Sequence, residues 1–221
     1  MIEIRLAPEL KAKCAKAALG SVEAAVETSA TSPPGLDEAL RWCQERIAKL
    51  PEPRAVLESS AILTTRAGYK ALGKDPARYR GSAEALLRRL IAGKGMPRIN
   101  NVVDVTNLVS VESRLPIGLY DLAHVEGSIE FRAGRAGETY KGIGKYDLNL
   151  EGLPLFADAR GPHGSPTSDS ERTMVTEATT RVLAIIISFG GAAALDSAVK
   201  RMTELLKLYA AATETDCVII G

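Results

Sequence analysis

Apolar and polar residues alternate in "IEIRLA" at Ile2–Ala7, the two-residue period of a half-buried strand. Glu9–Ala25 is rich in alanine and predicts a helix, with Gly20 weakening its middle. "TSATSPPG" at Thr28–Gly35 predicts a loop, and Leu36–Leu50 a helix around Trp42 that ends at Pro51 and Pro53. A further helix is expected over Arg54–Leu72, closed by Gly73-Lys74-Asp75-Pro76. "SAEALLRRLIAGKG" offers Ser82 as a cap, an apolar face through Leu86, Leu87 and Leu90, and a glycine stop. Beyond Pro116 the period shortens: "SIEFRAG", "ETYKGIG", "LPLFADA" and "VLAIIISF" are strand-sized pieces separated by glycines and polar turns. Gly191–Thr213 returns to a helix with Leu195, Val199, Met202, Leu206 and Tyr209 near one face. This order predicts an α+β fold with a β-rich, sandwich-like centre flanked by helices. One domain over residues 1–221 is expected, with an N-terminal strand and helices (1–60), a core (61–190), and a C-terminal helix and tail (191–221).

The most valine-rich stretch is also the most polar of the apolar ones. "RINNVVDVTNLVSVESRLPIGLYD" at Arg98–Asp121 places Asn100, Asn101, Asp104, Thr106 and Asn107 among five valines. β-propensity alone favours a strand over Ile99–Val111. The spacing favours a helix instead, because Asn100, Asp104 and Asn107 recur at i, i+4, i+7 opposite Val102, Val105 and Val109. Other helices here build their polar faces from Lys, Arg and Glu. Short amides and hydroxyls lose less rotamer entropy when held in place. That face is therefore expected to line a cleft, the competing reading being that it faces solvent or ties down backbone.

Composition adds little until charge is mapped. The protein has 221 residues, 46% hydrophobic and 25% charged, with a net charge of +1, as in an ordinary soluble protein. The longest apolar run, Val182–Phe189, is strand-sized, and "MIEIRLAPELKAKC" lacks the pattern of a secretory signal. Cys14, Cys43 and Cys217 are dispersed, which argues against a zinc site or disulfide framework and suits a reducing cytoplasm. Arg66, Lys70, Lys74, Arg78, Arg80, Arg88, Arg89, Lys94 and Arg98 are opposed only by Asp75 and Glu84 in the same segment. That segment carries +7 and the remainder −6. A phosphate-binding face and a solvated basic helix face fit this equally. "KGIGKYD" at Lys141–Asp147 lacks the third glycine of a phosphate loop and predicts a β-turn.

"PRINNVVDVTNLVSVESRLPIGLYDL" resembles the editing domain in the β-subunit of phenylalanyl-tRNA synthetase, whose hallmark resembles "INxVVDVTNxVxLExGxPxHxFD". The likeness continues in order through "GSIEFRAGRAGETYKGIG", "LFADARGP" and "SERTMVTEATTRVLAII", from Tyr69 to Ile187. It implies a freestanding relative of that domain, such as the trans-editing proteins that deacylate mischarged tRNA, one of which removes canavanine from arginine tRNA. The implied partner is an aminoacylated tRNA, bound through Lys74, Arg78, Arg80, Arg88 and Arg89. No cofactor, metal or membrane is implied.

Ester hydrolysis needs a positioned water, an anchor for the α-ammonium group and oxyanion stabilisation, but no strong nucleophile. The resemblance assigns Glu171 and Asn107 to that chemistry, and Thr106 and Gly118 to the pocket. Asn101, Asp104, Tyr120, Asp121, Asp158 and Asp169 complete the expected substrate-contacting set. Five of these residues (Asp104, Asp121, Asp158, Asp169 and Glu171) give the matched segments an acidic character that suits a cationic amino acid, but Asp104 and Asp121 also match aspartates of the synthetase pattern, and a role as caps or core hydrogen-bonders is the favoured reading of those two. Gly118 stands where the synthetase pattern has histidine, which implies an enlarged pocket. His124 is expected at the surface, and His163 in a glycine/proline/serine loop near Glu171. A binding module that kept the pocket without hydrolysis, and a small-molecule hydrolase, are the alternatives.

Overall fold

The computed structural model describes residues 1–144 and 146–221. Strand β1 (Ile4–Leu6) leads into the short helix α1 (Pro8–Lys13) and strand β2 (Ala18–Ala25). Helices α2 (Pro34–Ala48), α3 (Ser60–Ala71), α4 (Ser82–Ile91) and α5 (Asn101–Ser113) follow, with a 3-10 turn at Pro53–Glu58 before α3. The β-rich part comprises β3 (Ile117–Asp121), β4 (Ile129–Ala133), β5 (Thr139–Lys141), β6 (Asp147–Asn149), β7 (Pro154–Asp158), β8 (Gly161–Gly164) and β9 (Arg181–Ser188). Helix α6 (Leu195–Tyr209) and β10 (Thr213–Ile220) close the fold.

Two four-stranded sheets form among the described residues, in the orders β1-β4-β7-β8 and β10-β2-β9-β3, beside a β5-β6 hairpin. The β10-β2-β9-β3 sheet is antiparallel throughout, and β1 pairs parallel to β4. Alternation along β9 explains the layering. Val182, Ala184 and Ile186 enter a core with Val102, Val105 and Val109 of α5 and Met202 and Leu206 of α6. Leu183, Ile185 and Ile187 point the other way, against Ile4, Leu10, Phe131 and Phe156. The second sheet is thus buried on both faces, between helices and the first sheet. It draws strands from all three segments of the expected division.

Most predicted elements form, and the exceptions have physical causes. The helix expected over Glu9–Ala25 ends at Lys13, and its second half is strand β2. Neighbours override alanine's helix propensity there: β2 is central, paired to β9 and β10, and packs under α6. A Cβ at Gly20 would lie 2.6 Å from Val199 Cγ2 of α6, so the missing side chain permits the close approach. The helix expected over Arg54–Leu72 breaks into the 3-10 turn and α3. Ser82 does not cap α4; Gly81 occupies the cap, while Ser82 Oγ accepts from Ile117 N at 3.2 Å. The β-turn expected over Lys141–Asp147 includes Lys145, which lies outside the described residues; on either side of it β5 and β6 pair, with Lys141 opposite Asp147.

Candidate functional site at the edge of strand β3

β3 is an edge strand, and the loop after β8 folds across its open side. Tyr120 points from β3 into the core between the sheets, fully buried, with its ring 4.6 Å from His163 and 6.0 Å from Phe156. Two glycines make room for its hydroxyl. A Cβ at Gly118 would come within 2.0 Å of Tyr120 Oη, and one at Gly164 within 2.2 Å. The space expected beside Gly118 is therefore filled from within the protein, which corrects the enlarged-pocket reading.

The Tyr120 hydroxyl donates to Asp169 Oδ1 at 3.0 Å, and the Ser165 and Leu119 amides donate to the same carboxylate. Burial, then the neighbouring Asp169 charge, push the tyrosine well above its ordinary range. Tyr140 donates to Ser168 O at 2.5 Å and Tyr69 bonds Thr167 at 2.6 Å, so three tyrosines pin one loop. His163 sits in β8 with 0% exposure. Neither ring nitrogen has a hydrogen-bond partner among the described residues. Burial holds its pKa down at about 4, so the ring is neutral at pH 7. His124, in contrast, is exposed, as expected.

Glu171 begins a single 3-10 turn capped by Ser170 Oγ, which accepts from Arg172 N at 3.1 Å. Its carboxylate is half-exposed and meets Lys141 Nζ at 2.9 Å. Arg172 anchors the turn through two bonds to Asp158, at 2.9 and 3.0 Å, and others to the carbonyls of His124 and Gly161. Burial pushes the Asp158 carboxyl up, but the Arg172 bonds and the Glu126 amide outweigh it and hold the pKa below the usual range. Asp158 therefore positions the neighbour of Glu171. Beyond the turn the backbone passes to the helical side, where Val175 joins the core of Val105 and Val109. Helix α5 packs on β3 from that side. Asn107 of α5 is half-buried, and among the described residues its amide makes no hydrogen bond.

The rest of the polar face of α5 is hydrogen-bonded within the framework, and Asn101 also lines a depression with Glu27, Ser29 and Tyr209. Asn100 caps the helix, accepting from Val103 N at 2.8 Å. Asn101 is buried, donates to the carbonyls of Glu27 and Tyr209, and accepts from Ser29 N. Asp104, also buried, takes Ser32 Oγ at 2.8 Å, Arg98 Nε at 2.6 Å and Ile99 N at 3.1 Å. Thr106 bonds back to Val102 O at 2.9 Å. Asp121 accepts from Thr179 Oγ1 at 2.7 Å and Ala123 N at 2.9 Å. A buried polar group must find partners, and in each of these positions the backbone or a neighbouring side chain supplies them. The structure brings together Gly118, Tyr120, Asp169 and the Glu171 turn, and it leaves Asn101 and Asp104 tying down the loop before α2.

The basic segment divides likewise. Glu84 is buried and takes Arg66 (3.0 Å) and Arg88 (2.8 Å). Burial pushes its pKa up, but those two guanidinium groups outweigh it and the net shift is downward. Arg98 pairs with Asp104 and Asp37, and Arg89 donates to Gly95 O. Lys74 lies 5.1 Å over the Tyr79 ring. Lys70, Arg78, Arg80 and Lys94 are exposed and form no ion pair among the described residues. No group of three or more His, Cys, Asp or Glu among them is placed to hold a metal ion, and no helix is long and apolar enough to cross a membrane.

Comparison with known proteins places this geometry in context. The B3/4 domain profile matches residues 64–211. The phenylalanine–tRNA ligase β subunit of Paramagnetospirillum magneticum is 33% identical over 104 residues, 46% of this chain and 13% of that protein. The Rhodopirellula baltica β subunit is 33% identical over 138 residues, covering 58% of this chain and 19% of its own. An N-terminal fragment of the phenylalanyl-tRNA synthetase β-subunit from Pyrococcus horikoshii superimposes with a TM-score of 0.46 at 17% identity, covering 92% of this chain and 48% of that one. The chain thus spans a fifth or less of the length of these curated relatives.

Proposed function

Because the chain belongs to the B3/4 domain family, we propose that it is a trans-editing hydrolase that deacylates a mischarged aminoacyl-tRNA, with Glu171 and Asn107 at the reacting ester. The observation that carries this reading is the Glu171 turn. It presents a half-exposed carboxylate on a backbone fixed by Ser170 and by the Arg172–Asp158 pair, at the strand edge that α5 flanks. Its pairing with a cation, Lys141 Nζ at 2.9 Å, supports a role in holding an α-ammonium group. Asn107 supplies an uncommitted amide to orient the attacking water or bind the ester carbonyl oxygen. Water adds to the ester carbon, the bond to the terminal ribose oxygen breaks, and the proton passes to that oxygen.

Deacylation of tRNAs charged with tyrosine, phenylalanine, arginine and canavanine tests this directly. Canavanyl-tRNA(Arg) is the first candidate, on the resemblance to the proteins that remove canavanine; Gly118 no longer argues for it, since Tyr120 fills that space. On the best substrate, Glu171→Gln and Asn107→Ala are expected to slow hydrolysis at least ~10²-fold, the scale of losing one oriented polar contact in a transition state. Wild-type rates in both variants remove the site. The Lys141–Glu171 pair and the filled Gly118 space also favour a second reading, a tRNA-binding module without hydrolysis. Binding of the charged tRNAs with no deacylation of any selects it.

A further inference from the structure

We propose that Lys141 and Asp147 set the preference of the Glu171 site for a ligand with a free ammonium group, Lys141 being a cation that moves between two carboxylates. The inference rests on the reading that Glu171 faces the α-ammonium group of a substrate. Its basis is register. Gly142 and Ser170 form an antiparallel bridge, and Ile143 N donates to Asp169 O at 3.0 Å. That register sets Lys141 directly opposite Glu171, and their charges meet at 2.9 Å. On its other side Lys141 is directly opposite Asp147 of β6. Directly opposed residues point to the same face of a sheet, so Glu171, Lys141 and Asp147 form a row of alternating charge.

The backbone under this row is fixed, and the lysine side chain is free. Tyr140 is buried and donates to Ser168 O, and Gly142 is buried at the bridge. Lys141 and Glu171, in contrast, keep 64% and 36% of their side-chain surface in solvent. Asp147 is exposed and forms no ion pair among the described residues. An exposed pair is weak, because water screens it and two side chains must be ordered to hold it. Opposed residues lie about 4.5–5.5 Å apart at Cβ, so Lys141 reaches Asp147 by rotating its own stem. An incoming ammonium group, held by the rest of its molecule, takes Glu171 from Lys141 while Lys141 regains a carboxylate at Asp147. A ligand without that charge leaves the Lys141–Glu171 pair closed.

The probes are tRNAs joined to tyrosine, phenylalanine, arginine or canavanine through a hydrolysis-resistant amide, each beside its N-acetylated form. The readout is the ratio of the two affinities, in which phosphate contacts cancel. In the wild type the free-amine form of at least one tRNA binds more tightly. Lys141→Met removes the competitor and should raise that ratio about 1.4- to fivefold, the range of an exposed ion pair. Asp147→Asn removes the alternative partner and should lower it by a similar factor. Added to Lys141→Met, Asp147→Asn should change nothing, since the residue it serves is gone. Equal affinities of amine and N-acetyl forms in the wild type, or an unchanged ratio in either single variant, overturns the assignment. So do shifts of the same sign, or an Asp147→Asn effect that persists without Lys141. Deacylation of the ester-linked tRNAs separates this inference from the hydrolase reading. Opposite shifts without turnover uphold the exchange and remove the hydrolase alone; turnover with unmoved ratios removes the exchange alone.

Discussion

Adding one carbon at Gly118 tests whether the Tyr120 cluster is packed as described. In Gly118→Ala the new Cβ falls 2.0 Å from Tyr120 Oη and 2.6 Å from its Cζ, distances real contacts do not reach. Gly118 cannot retreat, because its strand is paired to β9 with Gly118 opposite Ile185. The ring cannot swing toward Gly164, whose backbone already crowds the hydroxyl from the other side. Tyr120 must leave its rotamer, which costs the overpacking penalty of about 1–3 kcal/mol. It also loses its bond to the Asp169 carboxylate, roughly 1.5–3 kcal/mol for a hydrogen bond to a charged group. A total of about 2.5–6 kcal/mol follows, a fall in Tm of roughly 5–24 °C for a protein of this length. Urea and thermal melts of Gly118→Ala and of Gly118→Ala with Tyr120→Leu read the effect. In the Tyr120→Leu background the alanine should cost under about 1 kcal/mol, since its obstacle is gone. A Gly118→Ala single variant within about 0.5 kcal/mol of wild type, or equal costs in both backgrounds, would refute the packing argument.

Two further outcomes follow from other parts of the fold. His163 has a folded pKa of about 4 against an ordinary 6.5, so the unfolded state takes up the proton first as pH falls. Its contribution is complete above about pH 6.5 and is lost towards pH 4, on the order of 3 kcal/mol in all, and melts of His163→Phe should show a flatter dependence across that window. For tRNA binding, Arg78→Ala with Arg80→Ala is expected to reduce the slope of affinity against salt by one to two released counterions, while Arg88→Ala, already neutralised by Glu84, changes it less. Filter binding from about 50 to 200 mM salt measures both slopes, and equal effects would remove the distinction between free and paired arginines.

The sequence by itself determined the elements whose signal is local. The i, i+4, i+7 spacing fixed α5 against the β-propensity of its valines, because helical periodicity depends only on which residues share a face. The short strands β4, β5, β7 and β9 were legible for the same reason, as were α2 and α6. Glu171 and Asn107 are proposed from motif order, and the resemblance itself lay in the spacing of residues along the sequence.

What tertiary structure decided is every question about a residue's partner. Ala18–Ala25 is helix-prone in isolation and a strand in the molecule, since two neighbouring strands pair with its edges while the helical core and the first sheet bury its faces. β3 and β10 exist as strands through pairing partners distant in sequence. Gly118 read as vacant space because nothing in the linear order announces that Tyr120, two residues on, folds its hydroxyl back over it. Nothing in the linear pattern of α5 shows that Glu27, Tyr209, Ser32 and Arg98 supply the partners of Asn101 and Asp104. Charge along the sequence likewise could not separate Arg88, matched by a buried Glu84, from Arg78 and Arg80 in solvent. Hydrogen bonds and ion pairs join groups by position in space, and a linear pattern carries that information only where the pair lies within a turn or two of one element.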